Sequence, residues 1–319
     1  MISQAIEIEN NKIGAAIQYF RETYQVSQSR LCKGLCSIAT LSRIESGERD
    51  ADSLLLETLL ERLGKTPNQF ELILTDSDYE AYQKREEIKH LIENKNLEEA
   101  GKLLAAYEKT APSKGNVHKQ FIVRSKALLN ELQGGEVEVT LDLLMEAIAY
   151  TVPGFKTNKI REYYLSNSEL NILIDIIERM ILMGDNSRAK ELIGQILDYL
   201  DKHNSMEKNN RLYPKVAILA CKLYMQDKEY EKALDLCNKG LNSTKGSRKL
   251  DFLGDLYLMK AQTTEALQKQ KKERKPQECT KLFLQAFYVF TFCDENEIAE
   301  NIKKYLQEEY QWECIDWVI

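Results

Sequence analysis

The stretch SQSRLCKGLCSIATLSRIESGE, Ser27 to Glu48, decides the fold. Ser27 precedes a short run with helical apolar spacing as an N-cap, and Gly47 follows the next run as a stop signal, so two short helices joined by a tight turn are expected. A helix-turn-helix needs an inner face that is buried and a small polar outer face that meets the major groove. A helix from Ser37 to Glu45 supplies both. A step of about 100° per residue puts Ser37, Thr40, Leu41 and Ile44 inward, and Ile38, Ala39, Ser42 and Arg43 outward.

The outer set has the chemistry of base reading. Ile38 and Ala39 suit thymine methyl groups, and Arg43 suits a guanine or a phosphate. The competing reading is that Ile38 packs on a neighbouring helix. Gln28 opens the preceding helix, where its amide and the helix N-terminal N–H groups suit a phosphate, and Arg49 is a second phosphate candidate. With Ser37, these residues make a DNA-contact set of Gln28, Ser37, Ile38, Ala39, Ser42, Arg43 and Arg49. Residues 1–72 hold eight Lys/Arg against ten Asp/Glu, and the whole chain carries a net charge of −6. Any grip on nucleic acid must therefore be local and strongly salt dependent.

Outward from this stretch, the apolar residues of Asn11 to Phe70 fall into five short helical clusters. They are Ile13-Ile17-Phe20, Leu31-Leu35, Leu41-Ile44, Leu54-Leu55-Leu59-Leu60-Leu63 and Phe70-Leu72-Leu74, with Gly64 and Pro67 ending the fourth. Beyond about Tyr79 the pattern lengthens to paired helices of roughly 12 to 20 residues. Three turns recur in the same setting, in ENKNLEEAGKLL, MGDNSRAKELIGQIL and MQDKEYEKALDLCNKGL, each placing an Ala early in a second helix. The spacings between those alanines, 89 from Ala100 to Ala189 and 44 from Ala189 to Ala233, indicate a degenerate array rather than a strict repeat. The basic KQKKERKPQE, Lys269 to Glu278, reads as an exposed, solvated loop.

Other chemistries find little support. Only five prolines and fourteen glycines in 319 residues favour long helices, and no apolar run reaches a membrane-spanning length. The N-terminus lacks the pattern of an export signal, so the expected location is the cytoplasm. Seven cysteines fit reduced, mostly buried thiols. Cys32 and Cys36 lie four apart but lack the further ligands a structural zinc site needs. The three histidines, His90, His118 and His203, stand apart, and no phosphate loop, nucleophile elbow or metal motif is present. No cofactor, no metal and no enzymatic activity are expected.

The run LCKGLCSIATLSRIESGE resembles the peptide-pheromone-responsive regulators of Gram-positive bacteria, the Rgg, PlcR and NprR group, in its Gly-Leu-Cys-Ser and Leu-Ser-Arg-Ile-Glu-x-Gly segments. The likeness continues more weakly through FELILTDSDYEAYQKREEI into the repeats. It implies an all-α fold: a five-helix helix-turn-helix domain of the XRE type over residues 1–74, then a tetratricopeptide-like α-solenoid over 75–319. It also implies that Arg21 and Glu45 form a structural ion pair, and that the partners are a double-stranded DNA operator, a short signalling peptide in the repeat groove and a second copy of the chain. Groove candidates placed by helical spacing are Lys126, Asn130, Asn167, Asn171, Tyr213 and Tyr257; amides there suit the backbone of an extended peptide. The alternative is a tetratricopeptide adaptor for a protein partner, with a vestigial DNA-binding domain.

Overall fold

A computed structural model describes residues 2–65, 75–110, 115–203, 212–247 and 250–312. Among these residues there are fifteen α-helices and no strand, as the scarcity of breakers requires. The chain divides into two compact units, residues 1–195 and 196–319.

The first unit opens with α1 (Ile2–Thr23), α2 (Gln28–Leu31), α3 (Ile38–Glu45) and α4 (Ser53–Arg62). Each of the last three starts on a side-chain cap: Ser27 accepts from the Arg30 amide, Ser37 from Thr40 and Asp52 from Leu55. Such caps satisfy amides that a helix start leaves without partners. Gly47 has φ +74°, which ends α3 at the residue expected from the sequence. Ile17, Leu31, Leu41, Leu59 and Leu63 close the core of this segment. Helix α1 crosses α3 so closely that a Cβ on Gly14 would lie 1.9 Å from the Ile44 carbonyl oxygen. The fifth apolar cluster, Phe70-Leu72-Leu74, lies outside the described residues.

The unit continues with α5 (Asp76–Glu93), α6 (Leu97–Thr110), α7 (Asn116–Leu132), α8 (Val137–Thr151), α9 (Asn167–Leu182) and α10 (Asn186–His203), the last of which runs into the second unit. Helices α5 and α6 pack as one antiparallel hairpin and α7 and α8 as another. A longer connection with a 3₁₀ turn at Ile160–Glu162 separates α8 from α9. Helix α9 begins on a complete capping box, in which Ser166 and Glu169 each satisfy the other's backbone amide.

The second unit holds α11 (Leu212–Gln226), α12 (Tyr230–Ser247), α13 (Leu253–Lys271), α14 (Pro276–Phe292) and α15 (Asn296–Tyr310). Ala100, Ala189 and Ala233 sit early in α6, α10 and α12 and are fully buried. The recurrent small residue marks positions of close packing, as expected. The basic run Lys269–Glu278 is not one loop. Helix α13 extends through Lys271 and α14 starts at Pro276, leaving residues 272–275 as the connection. Long straight-chain side chains are good helix formers, and Pro at the first helical position needs no amide partner. These two effects override the polarity that suggested a loop.

A sequence division at 74/75 falls outside the described residues. Described residues on both sides of it group in the first compact unit.

Candidate nucleic-acid interface and ligand groove

Helix α3 presents the face that the sequence assigned to base reading. Leu41 and Ile44 are buried, while Ile38, Ala39, Ser42 and Arg43 are exposed, Ile38 by 51%. Ile38 therefore does not pack on a neighbouring helix. Ser37 is exposed too, but its hydroxyl is committed to the Thr40 amide at 3.0 Å and lies 2.9 Å from the Thr40 hydroxyl. Arg49 is exposed and donates a long 3.4 Å bond to Thr40 Oγ1. Arg30 and Lys33 add exposed positive charge beside α3. Arg30 also lies 4.7 Å over the Tyr164 ring.

The orientation of α3 is set from behind by Glu45, which is 5% exposed. Arg21 Nε donates to Glu45 Oε1 at 2.6 Å and Nη2 to Oε2 at 2.9 Å, a bidentate pair, and Nη1 donates to the Val26 carbonyl. The carboxylate raises the Arg21 pKa above its ordinary value by accepting those bonds. Gln28 Nε2 donates to Glu45 Oε2 at 2.7 Å. Through this bond the Gln28 amide ties α2 to α3. The reason is that a bidentate arginine leaves a carboxylate lone pair to satisfy.

A second node, which sequence reasoning missed, centres on Arg62 at the end of α4. Its side chain is 2% exposed and pairs with the fully buried Glu169 through Nη2 to Oε1 at 2.6 Å and Nε to Oε2 at 3.2 Å. The same guanidinium donates to the carbonyls of Leu31 and Lys33 in the helix-turn-helix and of Thr151 at the end of α8. Next to it, Glu61 accepts from the backbone and side-chain amides of Asn167 at 3.0 and 3.1 Å. Burial, reinforced by the charge of Glu57, pushes the Glu61 carboxyl up to about 8. Asn116 donates to the Gly34 carbonyl at 2.8 Å. Gly34 has φ +78°, and a Cβ there would lie 2.1 Å from the Thr151 carbonyl oxygen. Glu169, which closes the α9 capping box, thus answers an arginine 107 positions away.

The six groove candidates divide between the two units. In the first, Lys126 pairs with Glu108 at 2.7 Å. Asn130 donates to Thr140 Oγ1 at 2.9 Å and more weakly to the Glu136 carbonyl, so its amide ties its own hairpin turn. Asn167 is committed to Glu61, and Asn171 donates to the Asn167 carbonyl at 3.0 Å. In the second unit Tyr213 is buried in α11, and Tyr257 is half-buried among the apolar side chains of α13 to α15. Asn130, Asn167 and Tyr213 thus do structural work that helical spacing alone did not reveal. Among the described residues no cluster of His, Cys, Asp or Glu is placed to hold a metal, and no helix is long and apolar enough to cross a membrane.

Residues 85–310 match the family model of the RNPP family C-terminal domain. Two solved structures of Bacillus thuringiensis PlcR are similar to the chain. One, described as in complex with the peptide PapR7 and DNA, is 18% identical with a TM-score of 0.57 over 92% of this chain and 99% of that one. The other, its apo form, is 17% identical with a TM-score of 0.58 over 92% and 98%. At such identities the likeness is one of fold. No curated protein sequence matches the chain.

Proposed function

The chain belongs to the RNPP family, and from that premise we propose that it is a cytoplasmic transcription regulator of the quorum-sensing type rather than an enzyme. It binds an operator through α3 as a homodimer, and a short signalling peptide held by the repeat helices controls that binding. The observation that carries this reading is the exposure of Ile38, Ala39, Ser42 and Arg43 on one face of α3, while Glu45, Arg21 and Gln28 fix the helix from behind. In this reading Arg43 reads a base and Arg49 holds a phosphate, and Ser37 adds its exposed edge at the start of the helix. Helix-turn-helix proteins place the start of the second helix against base edges in this manner. The solved PlcR complex, which holds both a peptide and DNA, supports the pairing of the two ligands. Lys126, Asn171 and Tyr257 remain peptide-contact candidates, each only partly buried.

Selection of double-stranded oligonucleotides from a random pool by the full-length protein tests the DNA half. One enriched sequence, bound at low salt and weakened by Arg43→Ala, is the expected result. Recovery of no sequence over background refutes it and favours the adaptor reading. For the peptide half, a peptide that acts as an effector must bind the two DNA-affinity states unequally, and operator DNA must then change peptide affinity by the same factor. Calorimetry with and without operator measures this directly, and identical affinities reduce the peptide to a passenger.

A further inference from the structure

A pocket of about 70 Å³ lies where α4 meets the repeat helices α5, α7 and α9, wholly within the first unit. One water needs about 10–15 Å³ of such space, so there is room for a small polar group and its hydration. Leu54 and Glu57 of α4 form one wall, Phe121 and Gln120 of α7 another, and Arg85 of α5 projects between them.

Arg85 is 3% exposed. A guanidinium carries five N–H donors, and only Nη1 of Arg85 is committed, in a 3.4 Å bond to the Tyr107 hydroxyl. Tyr107 lies 2.6 Å from His118 Nδ1, and His118 Nε2 lies 3.1 Å from Asp52 Oδ1. Asp52 therefore stands two side chains away, and it is already used to cap α4. Among the described residues no carboxylate lies within 4.0 Å of the Arg85 guanidinium. The other cations of the pocket have their own counterions: Lys89 has Glu86 at 2.7 Å and Arg124 has Asp175 at 2.8 Å. That leaves the buried Arg85 guanidinium facing a cavity whose one other charged wall, outside those pairs, is the Glu57 carboxylate, with which it makes no direct ion pair. Taking a charge out of water without a partner costs several kcal/mol, and native structures rarely tolerate it.

We infer that this pocket is an anion site, in which the Arg85 guanidinium takes a carboxylate of the ligand that bridges the repeat helices to α4. The identity of that ligand as a peptide rests on the function proposed above. A carboxylate matches the guanidinium fork in a bidentate pair and supplies the acceptors that the four unused donors lack. Because Leu54 and Glu57 of α4 form one wall, an occupant of this pocket touches the DNA-binding segment itself.

Sodium acetate, titrated against sodium chloride at constant ionic strength on the full-length protein, is the first probe. Acetate should raise the melting temperature of the wild type by about 2 °C or more. Arg85→Met should melt no lower than the wild type in chloride, since it removes an uncompensated buried charge. It should lose the response to acetate, and Arg85→Lys should keep part of it. The second probe is a random heptapeptide pool, supplied as free acids and as C-terminal amides, with retained species identified by mass spectrometry after gel filtration. Retention from the acid pool alone assigns the C-terminal carboxylate. Retention of Asp- or Glu-containing peptides from both pools assigns a side chain. Either should fall at least tenfold with Arg85→Met. An acetate effect that is absent, or equal in the wild type and the Met variant, overturns the anion site, as does undiminished peptide retention by that variant. Acetate protection through Arg85 with no peptide retained from either pool leaves the anion site standing and removes the peptide reading.

Discussion

Glu169→Gln is expected to loosen the helix-turn-helix from the repeats without unfolding α9. The substitution is nearly isosteric and keeps an oxygen to accept from the Ser166 amide, so the capping box survives. What disappears is the negative charge opposite Arg62, whose side chain is 2% exposed. Two unit charges about 4 Å apart interact by roughly 4 kcal/mol at an effective dielectric constant of about 20. Removing one partner of a buried pair typically costs about 3–5 kcal/mol, because the survivor is left charged and desolvated. Arg62 keeps three carbonyl acceptors, which places the cost toward the lower end of that range. Native-state hydrogen exchange of the α4 amides reads the effect on this segment alone, which a global melt of a chain this long does not. Protection there should fall by two orders of magnitude or more, with α7 and α8 changed far less. Adding Arg62→Met should recover part of the loss, since the buried charge is then gone. A coupling energy below about 0.5 kcal/mol in that double-mutant cycle would show that the pair holds nothing together.

Three further outcomes follow from the same geometry. Glu45→Gln should destabilise the α1–α3 packing by about 3 kcal/mol or less, because Arg21 is left half-buried with a neutral partner; unchanged exchange in α3 sinks the proposed role of the pair. Arg43→Ala should weaken selected-sequence binding by roughly 1–3 kcal/mol with random DNA much less affected, and equal losses on both would make it a phosphate contact. Glu61, pushed up to about 8 in the folded chain from an ordinary value near 4.5, holds its proton more tightly folded than unfolded. Its contribution to stability is therefore fully present below the unfolded value and is lost as pH rises toward 8. Wild-type α4 should accordingly exchange faster, after correction for intrinsic rates, at pH 8.5 than at pH 5.5; Glu61→Gln should flatten that dependence, and an unaltered slope would exclude Glu61 as its source.

The parts of this molecule that were legible in the sequence are those governed by local rules. Ser27 and Gly47 read as cap and stop because helix ends impose their needs on neighbouring residues. Ala100, Ala189 and Ala233 read as packing points because a bulky side chain would hold the paired helices apart. The face of α3 was legible for the same reason, since periodicity alone separates Leu41 and Ile44 from Ile38 and Arg43. What was not legible depends on pairs distant in sequence. Asn130 and Asn167 have the residue type and spacing of peptide-binding amides, but Thr140 and Glu61 consume them. Arg62 ends an apolar helix, and nothing within a turn of it betrays a buried carboxylate 107 residues on.

Under the proposed function, that distant pairing bears on how a ligand in the repeats would act on DNA binding. Arg62 donates on one side to the carbonyls of Leu31, the last residue of α2, and Lys33, in the turn before α3, and on the other to Glu169 and Thr151. Its neighbour Glu61 holds the first residue of α9, and Asp52 at the opposite end of α4 meets His118 of α7. Helix α4 is thus gripped at both ends, and the close approach of Gly34 to Thr151 leaves no slack between the recognition segment and α8. A flexible tether between the two parts would absorb small displacements in the repeats; a buried and fully bonded contact passes them on or breaks. A ligand that shifts α5, α7 or α9 by a fraction of an ångström must therefore either carry α3 with it or pay for rupture of the Arg62 node. The energy at stake in that rupture, several kcal/mol, exceeds the 1–3 kcal/mol typical of coupling between sites. Movement of the recognition segment together with α7 to α9, with the node intact, is the arrangement the energetics select. Distances from a spin label on α3 to one on α8 should then stay constant while ligand changes DNA affinity, and a change in that distance on ligand binding would contradict it.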